Sequence, residues 1–140
     1  MTLVPDTFSC FIRGIPAPQG SKTPDKRKDG SVYVRDANPN LKDWRYGVHF
    51  VLQSKGKGPP WEGPICLELE FQLLRPPSVS EKKRPYPTVK PDLGKLGRAV
   101  EDAMKGIALR DDAQIVVCSY SKRYRDESGV RIRMSKLEAS

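Results

Sequence analysis

Apolar and polar residues alternate most strictly over Ile65–Leu73, where Ile65, Leu67, Leu69, Phe71 and Leu73 share one face and Glu68, Glu70 and Gln72 the other. A period of two is that of a strand with one face on a core and one toward solvent. Shorter runs predict a first strand over Phe8–Arg13, ended by Gly14–Gly20, and a last strand in which Val130, Ile132 and Met134 alternate with Arg131 and Arg133. The β-branched run Ile115–Val117 places another strand over Ala113–Tyr124. Asp29–Gly30, just before Val32–Val34, marks a tight turn and a small hairpin. Two stretches carry the period of a helix instead. Leu41, Trp44, Val48, Val51 and Leu52 form one stripe after Asn40, with Asp43 set as in a capping box and Gly56 and Gly58 at the end. Leu93, Leu96, Val100, Ala103, Met104 and Ile107 form the second, with Lys95, Arg98, Glu101, Asp102 and Lys105 opposite. The order strand, hairpin, helix, strand, helix, strand, strand predicts one α+β domain over residues 1–140, a mixed sheet packed with two helices.

The second helix brings in candidate chemistry. Pro91 biases Lys90 away from helix and sets Asp92 at or just before the N-cap. A short connection then leads to a second acidic pair, Asp111–Asp112, immediately before a strand. Carboxylates from two segments arriving at one helix–strand junction are what a divalent-cation site uses. Glu68 and Glu70 share a strand face and are either surface carboxylates or further ligands. Glu101 and Asp102 are nine and ten residues beyond Asp92. At about 1.5 Å per helical residue they are too far along the axis to share a cation with it.

Composition narrows the chemistry. His49 is the only histidine and falls beside an apolar stripe, which reads as structural. Cys10, Cys66 and Cys118 are widely spaced within apolar runs and read as buried thiols. That inventory excludes zinc-finger spacing and His-based triads, so hydrolytic chemistry here rests on carboxylates and a cation. No apolar run is long enough to span a membrane, and Met1–Asp6 carries no leader pattern, so a cytoplasmic protein is expected. With 25 Lys and Arg against 17 Asp and Glu, the net charge of +8 favours a polyanionic partner. Three clusters carry it: Lys22, Lys26 and Arg27; Lys82, Lys83 and Arg84; and Lys122, Arg123 and Arg125. The second lies in the proline-rich segment 75–91, which reads as a mobile basic loop delivering the chain to Asp92. The third is interleaved with Tyr120 and Tyr124, a pattern that suits either nucleic acid or a charged sheet edge.

Asp92, Leu93, Lys95 and Leu96, followed by a helix with Asp102 and Ala103 and then Asp111–Asp112–Ala113–Gln114, resemble the signature of the RusA family of Holliday junction resolvases. The resemblance implies a small, homodimeric, RusA-like α+β nuclease, of phage or prophage type, that binds four-way DNA junctions. It implies paired nicks made with Mg2+, or Mn2+ in its place, and no small-molecule cofactor. Carried over by position, Asp92 and Asp112 are the metal ligands, with Asp111 beside them as a helper. In the same carry-over Arg98 stands near the scissile phosphate and Lys95 on the DNA backbone. One position departs from the pattern: Gly94 stands where the family has its second catalytic Asp. Two functional expectations follow, a junction-cleaving endonuclease and a branched-DNA-binding protein of the same fold that cuts weakly.

Overall fold

The strand predicted most strictly by alternation forms the centre of the fold. In the computed structural model, which describes residues 6–20, 23–35, 38–55 and 58–137, β4 (Ile65–Leu73) lies inside a four-stranded sheet. Its neighbours are β5 (Ile115–Tyr124), parallel to it, and β6 (Gly129–Lys136), antiparallel. β1 (Thr7–Arg13) pairs antiparallel with β6, so the strand order is β1-β6-β4-β5. β2 (Thr23–Lys26) and β3 (Val32–Arg35) form a separate hairpin whose turn places Gly30 at φ 91°. The mixed sheet with two helices agrees with the predicted α+β domain.

Both helices cover one face of the sheet. Ile65, Leu67, Leu69 and Phe71 of β4 are buried in one core with Ile12, Val130, Ile132 and Met134 from the flanking strands. Leu41, Trp44, Val48 and Leu52 from α1 (Leu41–Ser54) close it on one side. Leu96, Ala99, Val100, Ala103 and Met104 from α2 (Leu93–Met104) close it on the other. Ile107 packs on this core from the turn after α2, where Gly106 at φ 84° ends the helix. His49 is structural, its Nδ1 3.3 Å from the Ala103 carbonyl oxygen. Among the described residues no helix is long and apolar enough to cross a membrane.

Several local expectations change. Asn40 caps α1 by position, but no side-chain cap is made; instead the Asn38 Oδ1 accepts from the Asn40 N–H at 2.8 Å. Residues 112–114 form a short 3-10 turn rather than the start of β5. Of the three thiols only Cys10 is buried, and burial raises its pKa. Cys66, on the face of β4 opposite its buried residues, is half-buried, and Cys118, on the edge strand β5, is exposed. The segment 75–91 carries neither helix nor strand and makes contacts with β5. The Arg75 guanidinium lies 4.3 Å over the Tyr124 ring and donates to the carbonyls of Ser80, Arg84 and Pro85. Arg84 Nε donates to the Tyr124 hydroxyl at 3.1 Å.

One close approach sets how α2 meets β5. Gly97 is buried, and a Cβ there would overlap the Tyr120 ring, whose hydroxyl donates to Glu101 one turn along. We expect Gly97→Ala to cost about 1–3 kcal/mol by displacing that ring. In a Tyr120→Ala background the same change removes only a helix-propensity penalty and is expected to stabilise by up to about 1 kcal/mol. Denaturant unfolding of the four variants tests this, and a cost that persists without Tyr120 defeats it.

Candidate functional site

α2 begins at Asp92, which has an extended backbone (φ −67°, ψ 132°) and caps the helix by position. Its carboxylate accepts no capping hydrogen bond and is exposed, so it remains available to a ligand. Lys95 and Arg98, one turn apart, are exposed beyond it, while the Gln19 N–H donates to the Lys95 carbonyl at 2.9 Å. The Gly14–Gly20 run thereby docks on the first turns of α2. Lys122 on β5 holds the approach to Asp92, its Nζ donating at 2.8 Å to the carbonyls of both Val89 and Pro91. Gly94 has no positive φ, and a Cβ built there meets nothing within 4 Å. Nothing in the fold requires glycine at this position.

Asp111 and Asp112 sit beyond the other end of α2. The Asp111 carboxylate accepts from the Ala113 N–H at 3.1 Å, and Gln114 Oε1 accepts from the N–H groups of Asp111 and Arg110. Gln114 Nε2 donates to the carbonyls of Trp61 and Gly63, stapling the turn to the segment before β4. Asp111 and Gln114 therefore shape the turn, and Asp112 is left exposed. A hydrogen bond between the two carboxyls holds Asp111 below the usual range and Asp112 above it, the latter raised further by partial desolvation and by the Asp111 charge. The Asp112 carboxyl is thus expected to hold its proton to a higher pH than an ordinary aspartate. Carboxyl NMR titration of the metal-free chain should show Asp112 titrating above Asp111, and Asp111→Asn should bring Asp112 down. Equal titration of the pair defeats this assignment.

The two carboxylate sources do not meet within one chain. Asp112 senses the charges of Lys105 and Asp102, at the C-terminal end of α2, whereas Asp92 is at its N-terminus. The helix between them has 12 residues, about 18 Å of axis. Within one chain Asp92 and Asp112 stand at opposite ends of α2, because the chain ends that helix before turning back along β5. Among the described residues no group of three or more His, Cys, Asp or Glu is placed to hold a metal ion. Glu68 and Glu70 do not complete the Asp92 end. They lie on the sheet face turned away from α2, near Arg133 (4.0 Å) and Arg125 (3.8 Å) respectively.

The basic clusters separate by role. Lys22 lies outside the described residues, while Lys26 and Arg27 are exposed at the hairpin. Lys82, Lys83 and Arg123 are exposed. Arg84 and Lys122 anchor the 75–91 segment, and Arg125 faces Glu70. Sequence reasoning missed Gln19, Arg75 and Gln114 as positioning residues. Their partners are backbone carbonyls and N–H groups distant along the chain, which leave no periodic signal.

Comparison with known proteins agrees with this architecture. The chain is 27% identical over 143 residues to the uncharacterized protein YqaN of Bacillus subtilis (strain 168), covering 96% of this chain and 99% of that protein. The family profile described as Endodeoxyribonuclease RusA matches residues 16–135, a span that holds both ends of α2, all of β4 and β5 and the basic segment between them. The chain accordingly belongs to the RusA family of endodeoxyribonucleases, nucleases of Holliday junction resolution and DNA recombination.

Proposed function

We propose that this protein binds four-way DNA junctions as a homodimer and resolves them by paired nicking that requires Mg2+, with Mn2+ able to substitute. The observation that carries this reading is the exposed Asp92 carboxylate, free of any capping bond and followed by exposed Lys95 and Arg98. A phosphodiester drawn to those two cations comes to rest beside a carboxylate that can serve a metal ion. Arg98 holds the phosphate through paired N–H donors and stays charged throughout, so it orients and neutralises rather than donating a proton. Asp92 and Asp112 are the proposed ligands, with Asp111 supporting Asp112 by holding the turn. Lys82, Lys83, Lys26 and Arg27 extend the basic surface along the DNA arms. An intracellular, phage- or prophage-type setting fits this role.

A second reading has a specific observation in its favour. Gly94 stands in the first turn of α2 with open space around it, so the residue reduces the acidic complement without serving the fold. On that reading the chain binds junctions well and cuts them weakly. A nicking assay on synthetic four-way junctions beside linear duplex, with and without Mg2+, separates the readings. Resolution expects metal-dependent nicks in opposed strands of the junction and none in the duplex. Tight junction binding without nicks supports the second reading, and equal binding of both DNAs defeats both.

A further inference from the structure

The outer face of α1 carries two aromatic rings that the core does not use. Tyr46 and Phe50 stand one turn apart on the side of the helix away from Trp44, Val48 and Leu52, and are 71% and 57% exposed. Their planes lie within 19° of each other, with ring centroids 6.5 Å apart. We propose that this pair is a stacking platform for unpaired nucleotides, so that the protein takes single-stranded DNA as a ligand beside the paired arms of a junction. This rests on the DNA-binding reading and on none of the carboxylates.

Charge selects a nucleic acid as the occupant. Lys42 lies one turn before Tyr46 on the same face, and Lys55 follows Phe50 at the C-cap; both are exposed. Asp43 is the only acid in the helix. Backbone phosphates therefore find a cation at either end of the ring pair. The platform also borders the basic first turns of α2. Arg45, next to Tyr46, donates to Gln19 Oε1 at 3.3 Å, and the same Gln19 donates its N–H to the Lys95 carbonyl.

Size points the same way. A helix that docks in a protein groove presents apolar anchors over two turns or more, at i, i+3 or i+4, and i+7. On α1 the two rings are the only large apolar side chains that are exposed, and the polar Gln53 and Ser54 follow them. A base needs only one ring. Every base has a π face, and on an open helix surface its hydrogen-bonding edge stays in water, so stacking leaves no polar group buried without a partner.

The probe is fluorescein-labelled oligothymidine of about twelve nucleotides, a length within the span of ordinary single-strand sites. Its binding is read by anisotropy beside two others: a fully paired four-way junction, and a strand of the same length and charge that lacks its central bases. The unmutated chain should bind oligothymidine about five- to a hundredfold more tightly than the abasic strand. Tyr46→Ala and Phe50→Ala should each weaken oligothymidine binding within that range, and Tyr46→Phe should retain it. The double alanine variant should no longer distinguish the two strands, while its far-UV spectrum and its junction affinity stay unchanged. Lys42→Ala should instead lower the salt slope by about 0.7 for the phosphate it releases.

Equal binding of oligothymidine and the abasic strand by the unmutated chain overturns the proposal, and so does a double alanine variant that binds oligothymidine normally. If that variant also sediments as a smaller species, the rings belong to an interface between copies. An unmutated chain that binds the junction but not oligothymidine overturns the platform and leaves the resolvase reading standing. Binding of neither DNA removes both.

Discussion

Gly94→Asp is expected to raise metal-dependent nicking of four-way junctions by about tenfold or more without tightening DNA binding in the absence of metal. The position is in the first turn of α2, has an ordinary helical backbone, and offers open space to a new side chain. A carboxylate there sits at the positive end of the helix, and leaving glycine improves helix propensity, so stability should hold or rise slightly. Mg2+ prefers several oxygen ligands in near-octahedral order, and Asp92 alone at this end provides few. The added charge cannot itself attract phosphate, which keeps a gain in cutting distinct from a gain in binding. Single-turnover cleavage and metal-free binding, measured side by side, check both halves. If the unmutated chain cuts as fast as the variant, glycine at position 94 has no catalytic consequence.

Junction affinity should fall steeply with salt, and the exposed lysines and arginines are expected to set the slope. Each neutralised phosphate contributes about −0.9 to the dependence of log K on log salt concentration. A surface engaging about six to ten phosphates loses roughly 10³–10⁵ in affinity between about 50 and 200 mM salt. Lys82, Lys83, Lys95, Arg98 and Arg123 are exposed and are expected to act this way. Substituting Lys82 or Lys83 by Ala should lower the slope by about one unit for each phosphate left without its cation. Lys122→Ala should behave differently. Its ammonium is held by the Val89 and Pro91 carbonyls, so its removal should release the approach to Asp92 and weaken binding with little change in slope. Filter binding over a salt series distinguishes the two kinds of lysine. A slope near zero for the unmutated chain contradicts an electrostatic DNA surface altogether.

How far the chain could be read in advance depends on the range of the forces concerned. Alternation over Ile65–Leu73 foretold β4 with its boundaries, because burial of every second side chain is written in the local order of residues. The α2 stripe was equally legible: Leu96, Val100, Ala103 and Met104 are buried as their spacing demands. The motif ending in Asp111–Asp112–Ala113–Gln114 identified the family, since it depends on residue types at fixed short distances. Three things were not legible. Nothing in the local pattern marks Gly97 as the place where the Tyr120 ring rests on α2. The contacts of the proline-rich segment through Arg75, Arg84 and Lys122 join residues distant along the chain and leave no local pattern. Asp92 and Asp112 read as partners around one ion until α2 is seen to hold them apart. Local periodicity and motif spacing carry the main elements, the core faces and the family. Tertiary structure alone decided which carboxylates can meet, because that turns on the direction in which β5 returns along α2, a long-range packing choice that no local pattern encodes.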